Sequence, residues 1–167
     1  MHITFGPKSD AYPGGLLMID DAEICWPNFS GKADKFNREG DRHFTLRIRN
    51  VDDIERLQSD TNEFGDPWNL KIKPATEEYD TCATMKVKVK FSRRGPEVWL
   101  VSNGNRIQLN EDTVGCLDDI DIERIDLDIR PYDDCLPNGK SFRAAYLNGM
   151  EVVQRVSRFA ARYQDSE

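Results

Sequence analysis

The chain has 167 residues, of which 38% are hydrophobic and 10% aromatic, and its 30 acidic side chains outweigh 23 basic ones for a formal net charge of −7. That is enough apolar material for one domain with a core of ordinary size, since single domains run to roughly 100–200 residues. No run approaches the ~20 apolar residues of a membrane span, and the opening MHITFGPKSDAYPGG lacks the build of a secretory leader, so a cytoplasmic protein is expected.

Residues 1–15 are read as an N-terminal extension. The run 16–25, LLMIDDAEIC, reads as a strand with a bulge at Asp20-Asp21, and 26–42 as a loop rich in Gly, Asn and charge. In 43–49, HFTLRIR, Phe44, Leu46 and Ile48 fall on one face and Thr45, Arg47 and Arg49 on the other. Two Asp near its start and Val51, Ile54 and Leu57 at helical spacing predict one short helix within 51–65. Strands are expected in WNLKIKP (68–74), TCATMKVKVKF (81–91) and EVWLVS (97–102). Asn103-Gly104 before RIQLN is a hairpin signal, because both residues tolerate positive φ. In 115–132 the apolar phase changes at Arg124, which calls for a bulge or turn. After the turn-rich 133–141, FRAAYLNGMEVVQRV (142–156) reads as a last strand or pair of strands, and 157–167 as a flexible tail.

Many strands, one short helix and long loops predict a mainly β chain, a small antiparallel barrel or sandwich. An OB-like β-barrel over 16–156 is favoured because it closes most of its edges and offers one strand face with flanking loops for binding. The cysteines Cys25, Cys82, Cys116 and Cys135 lie outside C-x-x-C spacing and are expected to be buried thiols, with no metal and no cofactor.

Charge is unevenly placed. Residues 28–49 carry Lys32, Lys35, Arg38, Arg42, Arg47 and Arg49 against Asp34, Glu39 and Asp41, and 86–94 carry Lys86, Lys88, Lys90, Arg93 and Arg94 with no acid. Residues 111–134, by contrast, hold ten acids against Arg124 and Arg130. In KVKVKF the strand period sends Val87, Val89 and Phe91 inward and lines up the three lysines outward. Such a row is either a solvated or protected edge, or a seat for an anion that relieves its self-repulsion. Aromatics near the basic segments favour the anion. Single-stranded nucleic acid is held by a positive groove together with rings on which bases stack. Phe44 and Phe91 are in phase with core aliphatics, whereas Trp26, Phe29 and Phe36 lie in or beside a polar loop and are stacking candidates.

Other readings have less to stand on. Asp118, Asp119, Asp121, Asp126 and Asp128 suit divalent-metal ligation as in a nuclease, but alternation with Ile and Leu already explains them as the solvent side of a strand. No general base is obvious, and phosphate-loop, nucleophile-elbow and H-E-x-x-H motifs are missing from the sequence, so no enzyme is expected. The acidic stretch also fits an interaction protein that imitates nucleic acid and inhibits a host nuclease or defence complex.

The segment Asn28-Phe29-Ser30-Gly31-Lys32, followed by Phe36-Asn37, Gly40, Arg42 and Phe44, resembles a family of bacteriophage single-stranded DNA-binding proteins with the signature N-F-S-G-K...F-N-x-x-G-x-R-x-F. Residues 111–115, 126–132 (DLDIRPY) and 145–147 look like its later blocks, so the resemblance spans about 16–153. It implies an OB-type barrel that coats single-stranded DNA in phage replication or recombination, without sequence preference or catalysis, in the bacterial host's cytoplasm. Family members often end in an acidic tail that recruits replication partners. Here only Gln164-Asp165-Ser166-Glu167 remains, preceded by Arg155, Arg158 and Arg162, so tail docking does not carry over with DNA binding. The partners expected are single-stranded DNA and replication or recombination proteins, with no membrane, for a monomer or homodimer. Phosphate contacts are assigned to Lys32, Lys35, Arg38, Arg42, Arg47, Lys86, Lys88, Lys90, Arg93 and Arg94. Trp26, Phe29, Phe36 and Tyr146 are assigned to stacking, and Asn37 to hydrogen bonding and to shaping its turn. The acidic strand around 118–128 is expected to face away.

Overall fold

Two-residue alternation survives in the folded chain wherever one strand face is buried. The computed structural model describes residues 1–156, so the expected tail lies outside the described residues. Strands β1 (His2–Phe5), β2 (Leu17–Asp20), β3 (Ile24–Asn28) and β4 (Arg42–Ile48) precede helix α1 (Val51–Ser59). Then come β5 (Lys71–Lys73), β6 (Cys82–Val89), β7 (Glu97–Ser102), β8 (Asn105–Leu109), a 3₁₀ turn at Val114–Asp118, β9 (Ile122–Cys135) and β10 (Ser141–Gln154). Among the described residues the strands form one sheet, with the path β1-β2-β9-β10-β6-β4-β3; β5 joins β6, and the β7–β8 hairpin joins β10. The path does not close on itself. Pairing is antiparallel except for β10 with β6 and with β7.

Several elements differ from the sequence reading. Residues 16–25 are two strands, because Asp21 takes a positive φ of 53° and its backbone N–H donates to the Asp126 carboxylate at 2.8 Å. The extension contains β1, whose Ile3 enters the core. WNLKIKP yields only Lys71–Lys73, the three residues that pair with β6, while Trp68 ahead of them is buried with its indole N–H on Asp60. The helix stops at Ser59, with Asn50 accepting the Asp53 N–H as its cap. The hairpin forms as expected: Asn103 and Gly104 have φ of 52° and 78°, the left-handed pair that matches strand twist. The phase change at Arg124 is a bulge one residue earlier, since Val153 faces Arg124 and Gln154 faces Ile122, leaving Glu123 over. A second bulge at Asn148 lets β10 run on as one strand.

The core lies on one face of the sheet. Phe44, Leu46 and Ile48 of β4, Val87 and Val89 of β6, Ile125, Leu127 and Ile129 of β9, and Ala145 and Leu147 of β10 meet Ile54 and Leu57 of the helix. Ile3, near one end of the strand path, and Phe29, near the other, belong to the same cluster. Among the described residues Arg143 of β10 is the buried charge. Its guanidinium donates to Asp133 at 2.8 and 3.1 Å and to the Asp60 carbonyl at 3.1 Å, and lies over the Trp68 ring, whose indole N–H donates to Asp60. Buried charge persists in this way when it is paired and hydrogen-bonded.

Candidate nucleic-acid interface

β4 and β6 pair from Arg42↔Val89 to Ile48↔Ala83, which sets the two basic stretches side by side. On the face away from the core, His43 stands opposite Lys88 and Thr45 opposite Lys86. Lys88 stands beside Tyr146 of β10, and Tyr146 faces Arg130 of β9. One line across four strands thus reads Arg130, Tyr146, Lys88, His43. The Tyr146 ring lies between its two cationic neighbours, with the Lys88 ammonium 5.8 Å and the Arg130 guanidinium 5.2 Å from its centroid. Tyr132 meets Tyr146 edge-on at 5.7 Å and Phe142 at 6.2 Å, extending the aromatic surface along β9 and β10. A groove of about 460 Å³ is lined by Arg42, His43, Lys86, Lys88, Lys90, Phe91, Glu111 and Tyr146, among others. Lys86, Lys88 and Lys90 are exposed, as alternation requires. Arg93 and Arg94, in the turn after Phe91, line an adjoining hollow that shares that ring.

The loop between β3 and β4 is built by the residues that carry the family resemblance. The Asn28 side chain accepts from the Lys32 N–H and donates to its carbonyl, and the Gly40 N–H donates to the Gly31 carbonyl at 2.8 Å. A Cβ on Gly31 would sit 3.1 Å from the Gly40 backbone, so this approach needs glycine. Asn37 donates to the carbonyls of Lys32, Arg38 and Asp41, which is its turn-shaping role. The loop leaves Lys32, Lys35 and Arg38 exposed, and Phe36 92% exposed with the Lys35 ammonium 5.8 Å from its ring.

Phe29 is a correction. It is fully buried against Phe44 at 5.7 Å, because both Asp118 carboxylate oxygens accept backbone N–H groups, from Phe29 at 2.9 Å and Ser30 at 2.8 Å, and fix the segment inward. It cannot stack on a base. Asp118 therefore anchors this segment of the fold. Arg42 is in phase with the core face, and its guanidinium reaches the Gly40 and Glu111 carbonyls and the Glu111 carboxylate at 3.4 Å, with a buried Nε. It edges the groove without joining the outward row. Trp26, 67% exposed, lies beside Arg47 at 5.8 Å and lines a separate hollow with Lys71, Lys73 and Tyr79. Cys116 and Cys135 are exposed, so only Cys25 and Cys82 are even half-buried.

Sequence reasoning missed Arg130, Tyr132, Phe142 and His43 as groove neighbours. Arg130 and Tyr132 follow Asp126 and Asp128 at the same two-residue phase, so the acidic residues of β9 do not face away from the groove. They occupy the other half of the same outward surface, where Asp20, Glu97, Asp126, Asp128 and Glu151 line a hollow of about 260 Å³. Burial, and then the neighbouring Asp20, raise the Asp128 carboxyl above the ordinary carboxylate value. In the groove, burial and then Lys86 push His43 below the usual imidazole value, against weaker opposition from Asp34, Asp41 and Asp118. His43 is thus neutral at neutral pH. Among the described residues no group of three or more His, Cys, Asp or Glu converges to hold a metal ion, and no helix is long and apolar enough to cross a membrane.

The fold is similar to that of a single-stranded DNA-binding protein from bacteriophage Enc34, with a TM-score of 0.51 and 13% identity over 95% of this chain and 93% of that one. A structure of the Enc34 protein in complex with ssDNA gives 0.49 and 14% identity over 86% of this chain and 89% of that one. No curated protein matches the sequence. A family model described as "Putative phage ssDNA-binding domain" matches residues 10–166, nearly the whole chain, which therefore belongs to the phage ssDNA-binding domain family.

Proposed function

We propose that this chain binds single-stranded DNA without sequence preference along the outward face of β4, β6, β10 and β9, as a non-catalytic protein of phage replication or recombination in the host cytoplasm. The observation that carries this reading is the row Arg130, Tyr146, Lys88, His43, which sets a stacking ring between cations on a sheet face. Lys86, Lys88, Lys90 and Arg130, with Arg93 and Arg94 at the groove's end, take phosphates. Tyr146 and Tyr132 stack on bases, and Lys32, Lys35, Phe36 and Arg38 close over the strand from the loop.

The binding unit is residues 16–156, an OB-like barrel whose sheet β1 extends at one edge and which stays open between that edge and β3. That Ile3 and Phe29, near opposite ends of the strand path, belong to one core cluster supports this curl. Residues 1–15 brace it through β1. The protein acts as a monomer or homodimer, with replication or recombination proteins as further partners.

The test is a fluorescence-polarisation titration of labelled oligo-dT across a salt series, with RNA and duplex competitors. Affinity should fall with salt at a log–log slope of roughly −0.7 per contacted phosphate. A flat salt response would overturn the groove assignment, and no binding at all would favour the nucleic-acid mimic acting through the acidic half.

A further inference from the structure

Beyond the groove, the hollow that holds Trp26 has the same chemistry at a second place. It encloses about 770 Å³ between β3, β4, β5 and the segment after β5. Trp26 and Tyr79 are 67% and 68% exposed, two large rings on one concavity, with the Arg47 guanidinium 5.8 Å from the Trp26 centroid. Arg47, Lys71 and Lys73 supply cations, against Glu78 and Asp80 on the same wall. Arg49 contributes less, because its Nε and one terminal nitrogen pair with Glu23 at 2.8 Å, whereas Arg47 reaches that carboxylate only at 3.5 Å.

The backbone of Trp26 singles this place out. β3 and β4 slip by one residue between Cys25↔Thr45 and Asn28↔His43, and in that bulge Trp26 takes a φ of 49°, a left-handed conformation that bulky residues rarely adopt. Bulges re-aim side chains, and strain of this kind gathers where a side chain must be presented. Here the result is an indole turned outward beside Arg47.

The hollow also continues the groove. Along the outward face of the β4–β6 ladder the pairs run His43↔Lys88, Thr45↔Lys86, Arg47↔Thr84. On the other side of β6, where β10 no longer pairs with it, β5 takes its place and sets Lys71 beside Thr84. A second line across the sheet thus reads Arg47, Thr84, Lys71. It lies four residues along β6 from the first, roughly 13 Å at strand rise.

Resting on the single-strand reading above, we infer that the hollow is a second base-binding station, reached by the same DNA strand after it has crossed the groove along β6. Trp26 and Tyr79 stack on bases there, and Lys71 and Lys73 hold the phosphates between. The sites are filled in order of oligonucleotide length.

Trp26 supplies an intrinsic reporter of the hollow, read beside the polarisation of labelled oligonucleotide, since Trp68 is buried and Trp99 lies under the Arg106 guanidinium at 3.8 Å. Intrinsic tryptophan emission and polarisation are read together on the full chain with dT6 and dT16. Polarisation should rise with both oligonucleotides, while emission is quenched by dT16 only, and Trp26→Phe should abolish the quenching. Tyr79→Ala should weaken dT16 by roughly fivefold or more and dT6 by less than twofold. Lys71→Ala with Lys73→Ala should lower the salt slope for dT16 by about 1.4. All these side chains are exposed, and circular dichroism checks that the variants fold. Equal quenching by both lengths, or binding of dT16 that leaves emission and the variants' affinities unchanged, would overturn the second station alone. Absence of any polarisation change in the wild-type protein would overturn the single-strand reading with it.

Discussion

Along β9, one outward face carries Asp126 and Asp128 in its first half and Arg130 and Tyr132 in its second. The first half adjoins Glu151 and Asp20 in a hollow where five carboxylates meet Arg106, with Arg124 paired to Asp126; the second adjoins Tyr146 and the lysine row of β6. Backbone, sheet and face are the same, so the difference lies wholly in which side chains follow the two-residue period. Net charge is consequently a poor guide to what such a surface attracts. Asp126 and Arg130 are four residues apart, roughly 13 Å, which exceeds the screening length of about 8 Å at physiological ionic strength. An anion overall can present a cationic groove locally.

Four experiments break or sharpen this contrast. Replacing Lys86, Lys88 and Lys90 together by Ala should weaken oligo-dT binding by more than about tenfold, judged against the phosphate share of single-strand affinity, with thermal unfolding nearly unchanged. Unaltered affinity would return the row to a solvated edge. Tyr146→Ala should weaken binding by roughly fivefold to tenfold, the low end of one base stack, and Tyr146→Phe should restore most of it. Asp126→Asn with Asp128→Asn should tighten binding by about twofold in low salt and by nothing in 1 M salt, where the screening length is about 3 Å. Equal effects at both salts would mean that the two halves interact by more than charge.

The last effect, of similar size, is on pH. Burial and Lys86 hold His43 neutral in the free groove, and a bound phosphate would favour its charged form. Binding should therefore take up protons, and affinity should rise by about twofold as pH falls through and below the ordinary imidazole value near 6.5. The raised Asp128 acts in the same direction by losing its charge early, so His43→Gln is needed to separate the two. In the free protein the sign for stability is opposite: below that value the unfolded chain takes the proton more readily, and His43 lowers stability as pH falls.

Much of the sheet was legible in sequence because burying one face of a strand imposes a period that survives folding. Phe44, Leu46 and Ile48, and Val87 and Val89, are buried as their spacing required, and Asn103-Gly104 turns as its φ tolerance required. The lysine row was legible for the same reason. Phe29 was not, because what buries it is the carboxylate of Asp118, 89 residues away in sequence, and no local pattern encodes that bond. Phe36, seven positions on in the same basic loop, remains outside. Arg130 and Tyr132 were hidden by counting charge over a stretch instead of by phase. Lys71 and Tyr79 were overlooked because a three-residue strand and an exposed loop leave no periodic trace.

Arg143 bears on all of this from the opposite side of the sheet. It sits on β10 between Phe142 and Ala144 and points into the core, where it ties the strand to Asp133 of β9 and to the Asp60 segment that follows the helix. The rings of Phe142 and Tyr146 are therefore mounted on a strand anchored from behind by charged hydrogen bonds. Their orientation is settled when the chain folds, before any ligand arrives, and preorganisation of that kind lessens the ordering that binding must impose.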